Sequence, residues 1–278
     1  MTTILDVLEK GAKFLTSKGI EDARLNMELL VAHELGCQRM DLYLRFDQPL
    51  LESQLSSLRK KLKKRSERTP LQHINGLVNF HSSDFQSDSR ALIPRPETEE
   101  LVDLTLTKKF PQPARILDLG CGSGVIGISL AKSLGEGCRE LVLADLSTDA
   151  LSLAQENADS LGIQATMIES NLFSSLDGKF DLIVANLPYI AETERSELSP
   201  EVLHDPEMAL FSGQDGLDLL RKFCVQAPDY LQREGLVALE VGHQQGEAVR
   251  KLLADSGLKD CWVESDLSGI QRFPMARR

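Results

Sequence analysis

The chain has 278 residues, 42% of them apolar, enough for one large domain or two modest ones with a real core. No apolar run approaches the roughly 18 residues of a membrane span, and the N-terminus lacks the basic-then-apolar pattern of a secretion signal, so a cytoplasmic protein with no membrane partner is expected. A formal net charge of −11 gives the molecule a field that repels polyanions, which disfavours nucleic acid as a substrate and favours a protein or small-molecule acceptor.

Ile4, Leu5, Leu8, Ala12 and Leu15 share one face of a helical period, and Gly19 stands where such a helix would end. A second helix is predicted from about Asp22, carrying Leu25, Leu29, Leu30 and Leu35 before Gly36. A third places Leu51, Leu55, Leu58 and Leu62 on one side and stops before Thr69-Pro70. Its basic run, Arg59-Lys60-Lys61-Leu62-Lys63-Lys64-Arg65, reads best as a solvated helix face, with contact to RNA or an acidic partner as the alternative. Residues 1–70 are therefore expected to form a small helical bundle. Over 71–96 the pattern changes to short β-prone pieces containing Val78, Phe80 and Phe85, separated by polar clusters, which predicts a β-hairpin linker. From Arg115 onward, apolar runs over 116–119, 141–144, 165–168, 182–185 and 236–241 alternate with helical stretches. That alternation predicts an α/β class with a parallel sheet covered by helices on both faces.

The five cysteines, Cys37, Cys121, Cys138, Cys224 and Cys261, contain no Cys-x-x-Cys pair, and the five histidines are equally dispersed. Neither a disulfide framework nor a metal site is predicted.

Arg115-Ile116-Leu117-Asp118-Leu119-Gly120-Cys121-Gly122-Ser123-Gly124 reads as a buried strand, a glycine-rich turn, and the start of a helix near Val125. Glycines there let the backbone approach a ligand where a Cβ would collide. Asp145 closes the next apolar strand, where a carboxylate can accept the hydroxyl hydrogens of a ribose. This is the pattern of a nucleoside-cofactor site. Gly122-Ser123-Gly124-Val125-Ile126-Gly127 also satisfies the dinucleotide fingerprint, which keeps a nicotinamide-dependent oxidoreductase open. Asp118, just ahead of the glycines, is placed to bind the ammonium of a methionine moiety, whereas nothing supplies pyrophosphate or hydride chemistry.

The run Phe180-Asp181-Leu182-Ile183-Val184-Ala185 leads into Asn186-Leu187-Pro188-Tyr189, a strand followed by a proline-stiffened turn with an aromatic. If this is the fourth strand, the turn emerges beside the glycine loop, because ligands of open α/β sheets bind beyond the carboxyl ends of the strands. A non-catalytic loop that only recognises a peptide is a further reading of the same turn.

Together these two segments resemble the class I methyltransferases that carry an Asn-Pro-Pro-Tyr motif and methylate planar nitrogens. The resemblance implies S-adenosyl-L-methionine as cofactor and S-adenosyl-L-homocysteine as product. It also implies that the Asn186 side-chain oxygen and the Leu187 carbonyl accept both hydrogens of the target NH2, with Pro188 shaping the turn and Tyr189 packing on the planar group. A planar amide nitrogen is a poor nucleophile, so two acceptors help by orienting its lone pair toward the methyl group. Leu187 stands where the first proline is usual, and Asn-Leu-Pro-Tyr also occurs in ribosomal RNA adenine dimethyltransferases, so an adenine N6-methyltransferase acting on RNA or DNA is the alternative.

Further segments separate the two. Leu92-Ile93-Pro94-Arg95-Pro96-Glu97-Thr98-Glu99, the stretch from His204 to Asp218, Leu239-Glu240-Val241-Gly242 with Gln244-Gln245-Gly246, and Asp266-Leu267-Ser268-Gly269 with Arg272 are similar in order and spacing to HemK-type glutamine N5-methyltransferases. That resemblance implies a seven-stranded, doubly wound Rossmann-like methyltransferase domain over 97–278, with the N-terminal bundle recognising the substrate. The implied substrate is the glutamine of the Gly-Gly-Gln tripeptide in class I peptide chain release factors, modified by a monomer in a reaction that modulates translation termination. The implied cofactor residues are Asp118, Gly120, Cys121, Gly122, Ser123, Gly124, Asp145 and Asn186, with Asn171 and Leu172 flanking the adenine; the family more often has aspartate where Asn171 stands.

Overall fold

Thr3 begins the first helix, α1 (Ile4–Ser17), because its hydroxyl accepts the Asp6 N–H while the Asp6 carboxylate accepts the Thr3 N–H, a reciprocal cap. The computed structural model describes residues 1–278. They divide into two units, Met1–Leu77 with Ser199–His204, and Val78–Leu198 with Asp205–Arg278.

In the first unit α1 packs with α2 (Ala23–Leu35), α3 (Glu52–Ser66) and the one-turn α4 (Leu71–Asn75). Ile4, Leu8 and Leu15 meet Met27, Leu30, Val31 and Leu58 in its core. The buried face of α2 is Ala23, Met27, Leu30 and Val31, and Leu25 is exposed, because the helical period from Met27 carries Leu25 to the opposite side. The basic run is likewise not uniformly solvated. Arg59, Lys60, Lys63 and Lys64 are exposed, but Arg65 is buried and bonds Glu201 at 3.2 Å, and Lys61 pairs with Glu34 at 2.9 Å. Arg68 joins Arg65 on Glu201, which draws Ser199–His204 into the helical unit although sequence order assigns it elsewhere.

The expected hairpin over 71–96 is shorter than its span. Residues 71–75 are α4 instead, begun after Pro70 and stopped by Gly76 in the left-handed conformation. The hairpin itself is β1 (Leu77–Phe80) and β2 (Ser83–Gln86), turned through His81 and Ser82 at positive φ. Phe80 and Phe85 are buried edge to face, with ring centroids 6.0 Å apart.

The second unit continues with α5 (Pro96–Thr107), started by proline in its first turn, then β3 (Ala114–Leu119), α6 (Val125–Leu134), β4 (Cys138–Asp145), α7 (Thr148–Leu161), β5 (Thr166–Glu169) and β6 (Phe180–Ala185). α8 (Asp218–Tyr230), β7 (Leu231–Leu239), α9 (Gly246–Asp255), β8 (Lys259–Ser265) and β9 (Gln271–Arg277) complete it. The seven-stranded sheet has the order β5-β4-β3-β6-β7-β9-β8, parallel except for β9. Alternate residues of each central strand feed opposite faces. Ile116, Leu182 and Leu236 pack with α5, α6 and α7, while Leu117, Ile183 and Val237 pack with α8 and α9. Burial on both faces is why these strands read as continuous apolar runs rather than alternating ones. β8 and β9 escaped that pattern because β8 is half exposed and polar at its ends. The chain winds outward from β3 through β4 to β5 and returns as β6 on the other side of β3, which opens a crevice at the carboxyl ends of β3 and β6.

Candidate active site

The turn after β3 forms one wall of that crevice. Gly120, Gly122 and Gly124 hold φ values of 68°, 54° and 80°, which glycine adopts without strain. At Gly120 the requirement is also spatial, since a Cβ would lie 2.8 Å from the Leu187 side chain. Asp145, at the end of β4, fastens the turn: its carboxylate accepts the Gly122 N–H at 2.9 Å and the Ser147 N–H at 2.8 Å. Burial pushes the Asp145 carboxyl above its ordinary pKa.

The turn after β6 forms the facing wall. The Leu187 side chain is buried against Gly120, so the departure from proline is filled by packing between the two walls. Asn186 donates from Nδ2 to Thr98 Oγ1 at 3.3 Å, and Thr98 in turn donates to Glu240 Oε2 at 2.7 Å. Glu240 is 1% exposed, and burial pushes its carboxyl up to about 7. Behind the turn, Gln245 Nε2 donates to the Tyr189 carbonyl at 2.9 Å. Ile190 and Phe211 form a bridge that ties the outgoing chain down.

One cavity, open to solvent, joins the walls. Gly120, Cys121, Gly122, Ser123, Asp145, Asn171, Leu172, Asn186, Leu187 and Pro188 all line it. Asp118, Gly124 and Tyr189 do not. Asp118 is fully buried, its Oδ2 accepts the Gly127 N–H at 2.8 Å, and burial pushes its carboxyl up to about 7. Through Oδ2 it holds the first turn of α6, and it lies behind the cavity wall rather than on it. Gly124 ends the turn as the cap of α6. The Tyr189 side chain packs against the core on the α8 and α9 side of the sheet, and burial pushes its hydroxyl up to about 12.

Two buried acceptors near the turn lack partners, Asp118 Oδ1 and Ser123 Oγ. Buried polar atoms are normally satisfied, so unpartnered ones beside a cavity suit a polar ligand with donors. An adenosine-bearing cation fits this donor and acceptor set: a carboxylate at the strand end, left-handed glycines, and negative charge beneath the turn.

Sequence reading missed the roles of Thr98, Glu240, Arg95 and Asp205. Arg95 lines the cavity and pairs with Asp205 at 3.0 Å, and Asp205 also accepts the Ile93 N–H at 3.4 Å, so two segments far apart in the chain brace each other. All four residues sit in stretches that carried the family resemblance, yet no local spacing marks their roles.

A model of the PrmC N-terminal domain matches residues 6–76, and one of the methyltransferase small domain matches residues 99–255. The release factor glutamine methyltransferase of Geobacter sulfurreducens is 40% identical over 272 residues, covering 97% of this chain and 95% of the relative. That of Deinococcus radiodurans is 35% identical, covering 98% of each chain. Among solved structures, the T. thermophilus 16S rRNA methyltransferase RsmC in complex with AdoMet and guanosine superposes with a TM-score of 0.52 at 16% identity, over 73% of this chain and 49% of that one. A methyltransferase from Pyrococcus furiosus gives a TM-score of 0.52 at 14% identity, over 70% of this chain and 87% of that one. At these identities the two structures share the fold.

Proposed function

The chain belongs to the family of release factor glutamine methyltransferases, and we propose that it transfers a methyl group from S-adenosylmethionine to the N5 amide nitrogen of the glutamine in the Gly-Gly-Gln tripeptide of class I release factors. The observation that carries this reading is that Asn186, Leu187 and Pro188 share one cavity with the glycine turn and Asp145.

When bound, the cofactor supplies an electrophilic methyl group on a sulfonium. Asp145 accepts hydrogens from the ribose hydroxyls with lone pairs that its two backbone bonds leave free. Asn171 and Leu172 flank the adenine; an asparagine accepts from the adenine amine through its side-chain oxygen as an aspartate would. Asp118 acts from beneath the turn, fixing α6 through Gly127 and lending negative charge to the region of the methionine ammonium. At the acceptor wall, Asn186 Oδ1 and the Leu187 carbonyl each take one hydrogen of the glutamine NH2, and Pro188 presents an apolar surface to its plane. Held this way by Asn186 and Leu187, the nitrogen lone pair would be directed at the methyl group that a bound cofactor would supply, with the sulfonium sulfur as leaving group and one amide proton lost to water.

Incubation with labelled cofactor and either purified release factor or ribosomal RNA tests the assignment, with mass spectrometry locating the product on the glutamine peptide. Label only in RNA overturns it in favour of an adenine enzyme. The net charge of −11 and the buried Arg65 support the protein acceptor.

A further inference from the structure

Nothing in its own turn determines which end of the Asn186 amide meets the substrate, because the oxygen and nitrogen ends have nearly the same shape. Only an oxygen facing the cleft can accept a hydrogen from a substrate amide. The neighbours decide the matter by counting hydrogens.

Thr98, in the first turn of α5, and Glu240, just past β7, are both buried, with 3% and 1% of their surfaces exposed. The Thr98 hydroxyl lies 2.7 Å from Glu240 Oε2 and 3.3 Å from Asn186 Nδ2. A hydroxyl has one hydrogen to give and two lone pairs to accept with, whereas an ionised carboxylate only accepts. When Glu240 is ionised, the Thr98 hydrogen therefore goes to it, and Thr98 can only accept from Asn186. This commits the Asn186 NH2 group to Thr98 and leaves Oδ1 as the free end.

We infer that Thr98 and Glu240 are positioning residues for methyl transfer: Glu240 orients the Thr98 hydroxyl, and Thr98 locks Asn186 with its amide oxygen toward the substrate amide. The inference rests on the reading of Asn186 as hydrogen acceptor given above. Position supports it as well. The three side chains come from α5, β6 and the end of β7, and the Glu240 N–H donates to the Ala185 carbonyl at 3.0 Å, so the relay is fixed to the residue before Asn186. A buried carboxylate is costly and serves poorly as mere filler. A carboxylate that dictates the polarity of a hydrogen-bond chain does what an apolar residue cannot.

The test compares Thr98→Val, which keeps the shape and removes the hydroxyl, with Thr98→Ser, which restores it, and with Asn186→Ala. Each is assayed for kcat and KM on release factor, for cofactor affinity by calorimetry, and for melting temperature. Thr98→Val is expected to lower kcat by roughly 10–100-fold with cofactor affinity unchanged, since misorientation of a positioning group costs up to about 100-fold. Thr98→Ser is expected to recover kcat to within about threefold, since the serine hydroxyl has the same donor and acceptor capacity. Wild-type kcat in Thr98→Val overturns the inference, as does a fall in cofactor affinity and melting temperature that accounts for the lost kcat, or a failure of Thr98→Ser to recover it. Asn186→Ala separates the two levels. If it retains full turnover, the reading of the acceptor site itself fails; if it loses turnover while Thr98→Val does not, only the relay fails.

Discussion

The two walls of the active-site cleft are built from different materials. The cofactor wall is mostly backbone: three left-handed glycines, with Asp145 and Asp118 holding the N–H groups of Gly122 and Gly127. The acceptor wall works through side chains, with Asn186 set by Thr98 and Glu240 and the turn anchored from behind by Gln245. Backbone geometry needs contiguous residues, so the first wall occupies one stretch of sequence plus one acid at the end of the next strand. Side-chain relays need only proximity, so the second gathers residues 98, 186, 240 and 245 from across the chain.

If the walls are separate devices, their mutants separate too. Asn186→Ala is expected to lower kcat about 10²–10³-fold, the usual loss for one preorganised hydrogen-bond partner of the reacting group, with cofactor affinity within a factor of about two. Asp145→Ala is expected to do the reverse, weakening cofactor binding by about 10–100-fold through lost charge-assisted bonds while kcat at saturating cofactor changes little. Calorimetry beside steady-state kinetics reads both, and a matched loss of affinity and kcat in either variant would show the walls to be one unit.

Gly216 probes the acceptor wall from behind. It holds φ +74°, and a Cβ there would lie 2.1 Å from the Tyr189 carbonyl oxygen, so Gly216→Ala must push the turn or itself out of place. Turnover is expected to fall by about tenfold or more with cofactor affinity kept, because small displacements of positioning groups are costly. Loss of cofactor binding here would mean that the segment supports both walls.

The acceptor wall also carries a titration. Burial raises the Glu240 carboxyl from 4.5 to about 7, and the charged or titratable groups facing it are Arg272 from β9, Glu97 from α5 and the Tyr189 hydroxyl. Once protonated, Glu240 can donate to Thr98, and the enforced direction of the relay is lost. kcat is therefore expected to fall by roughly fivefold between pH 7 and pH 6, steepening toward tenfold per pH unit below that, as one required ionisation is lost. An acid limb unchanged in Glu240→Gln would assign the titration to another group.

The same contrast explains what could be read from sequence. The strand runs, Gly120 to Gly124, Asp145 and the Asn186 turn announce themselves because their physics is local: apolar continuity, glycine spacing, proline after a strand. Thr98 is an ordinary threonine in a helix and Glu240 an ordinary acid after a strand until the fold sets them 2.7 Å apart. Asp118 has a role that spacing does not show: its Oδ2 accepts the Gly127 N–H and so fixes the start of α6. In the N-terminal unit the leucines of α2 promised a face that Leu30 keeps and Met27 and Val31 extend while Leu25 turns outward, since only packing reveals which side of a short helix faces inward.

Asp118 supplies the smallest expected effect and the sharpest contrast with Glu240. Both acids are pushed up to about 7 by burial, but Asp118 belongs to the backbone wall, so its titration should appear in stability rather than in the chemistry. The folded protein binds this proton more tightly than the unfolded chain, whose carboxyl titrates near 3.8. The contribution is thus fully present below pH 3.8 and is lost as pH rises through about 7. Asp118→Asn keeps an oxygen to accept the Gly127 N–H and removes the ionisation. At pH 8 the variant is expected to melt several degrees higher than the wild type, since each kcal/mol moves the midpoint of a domain this size by about 2–4 °C. At pH 4 the two should nearly coincide. A wild-type advantage that grows with pH would mean instead that the ionised carboxylate strengthens the folded state, and a selective loss of cofactor affinity in the variant would return Asp118 to the role of ammonium partner.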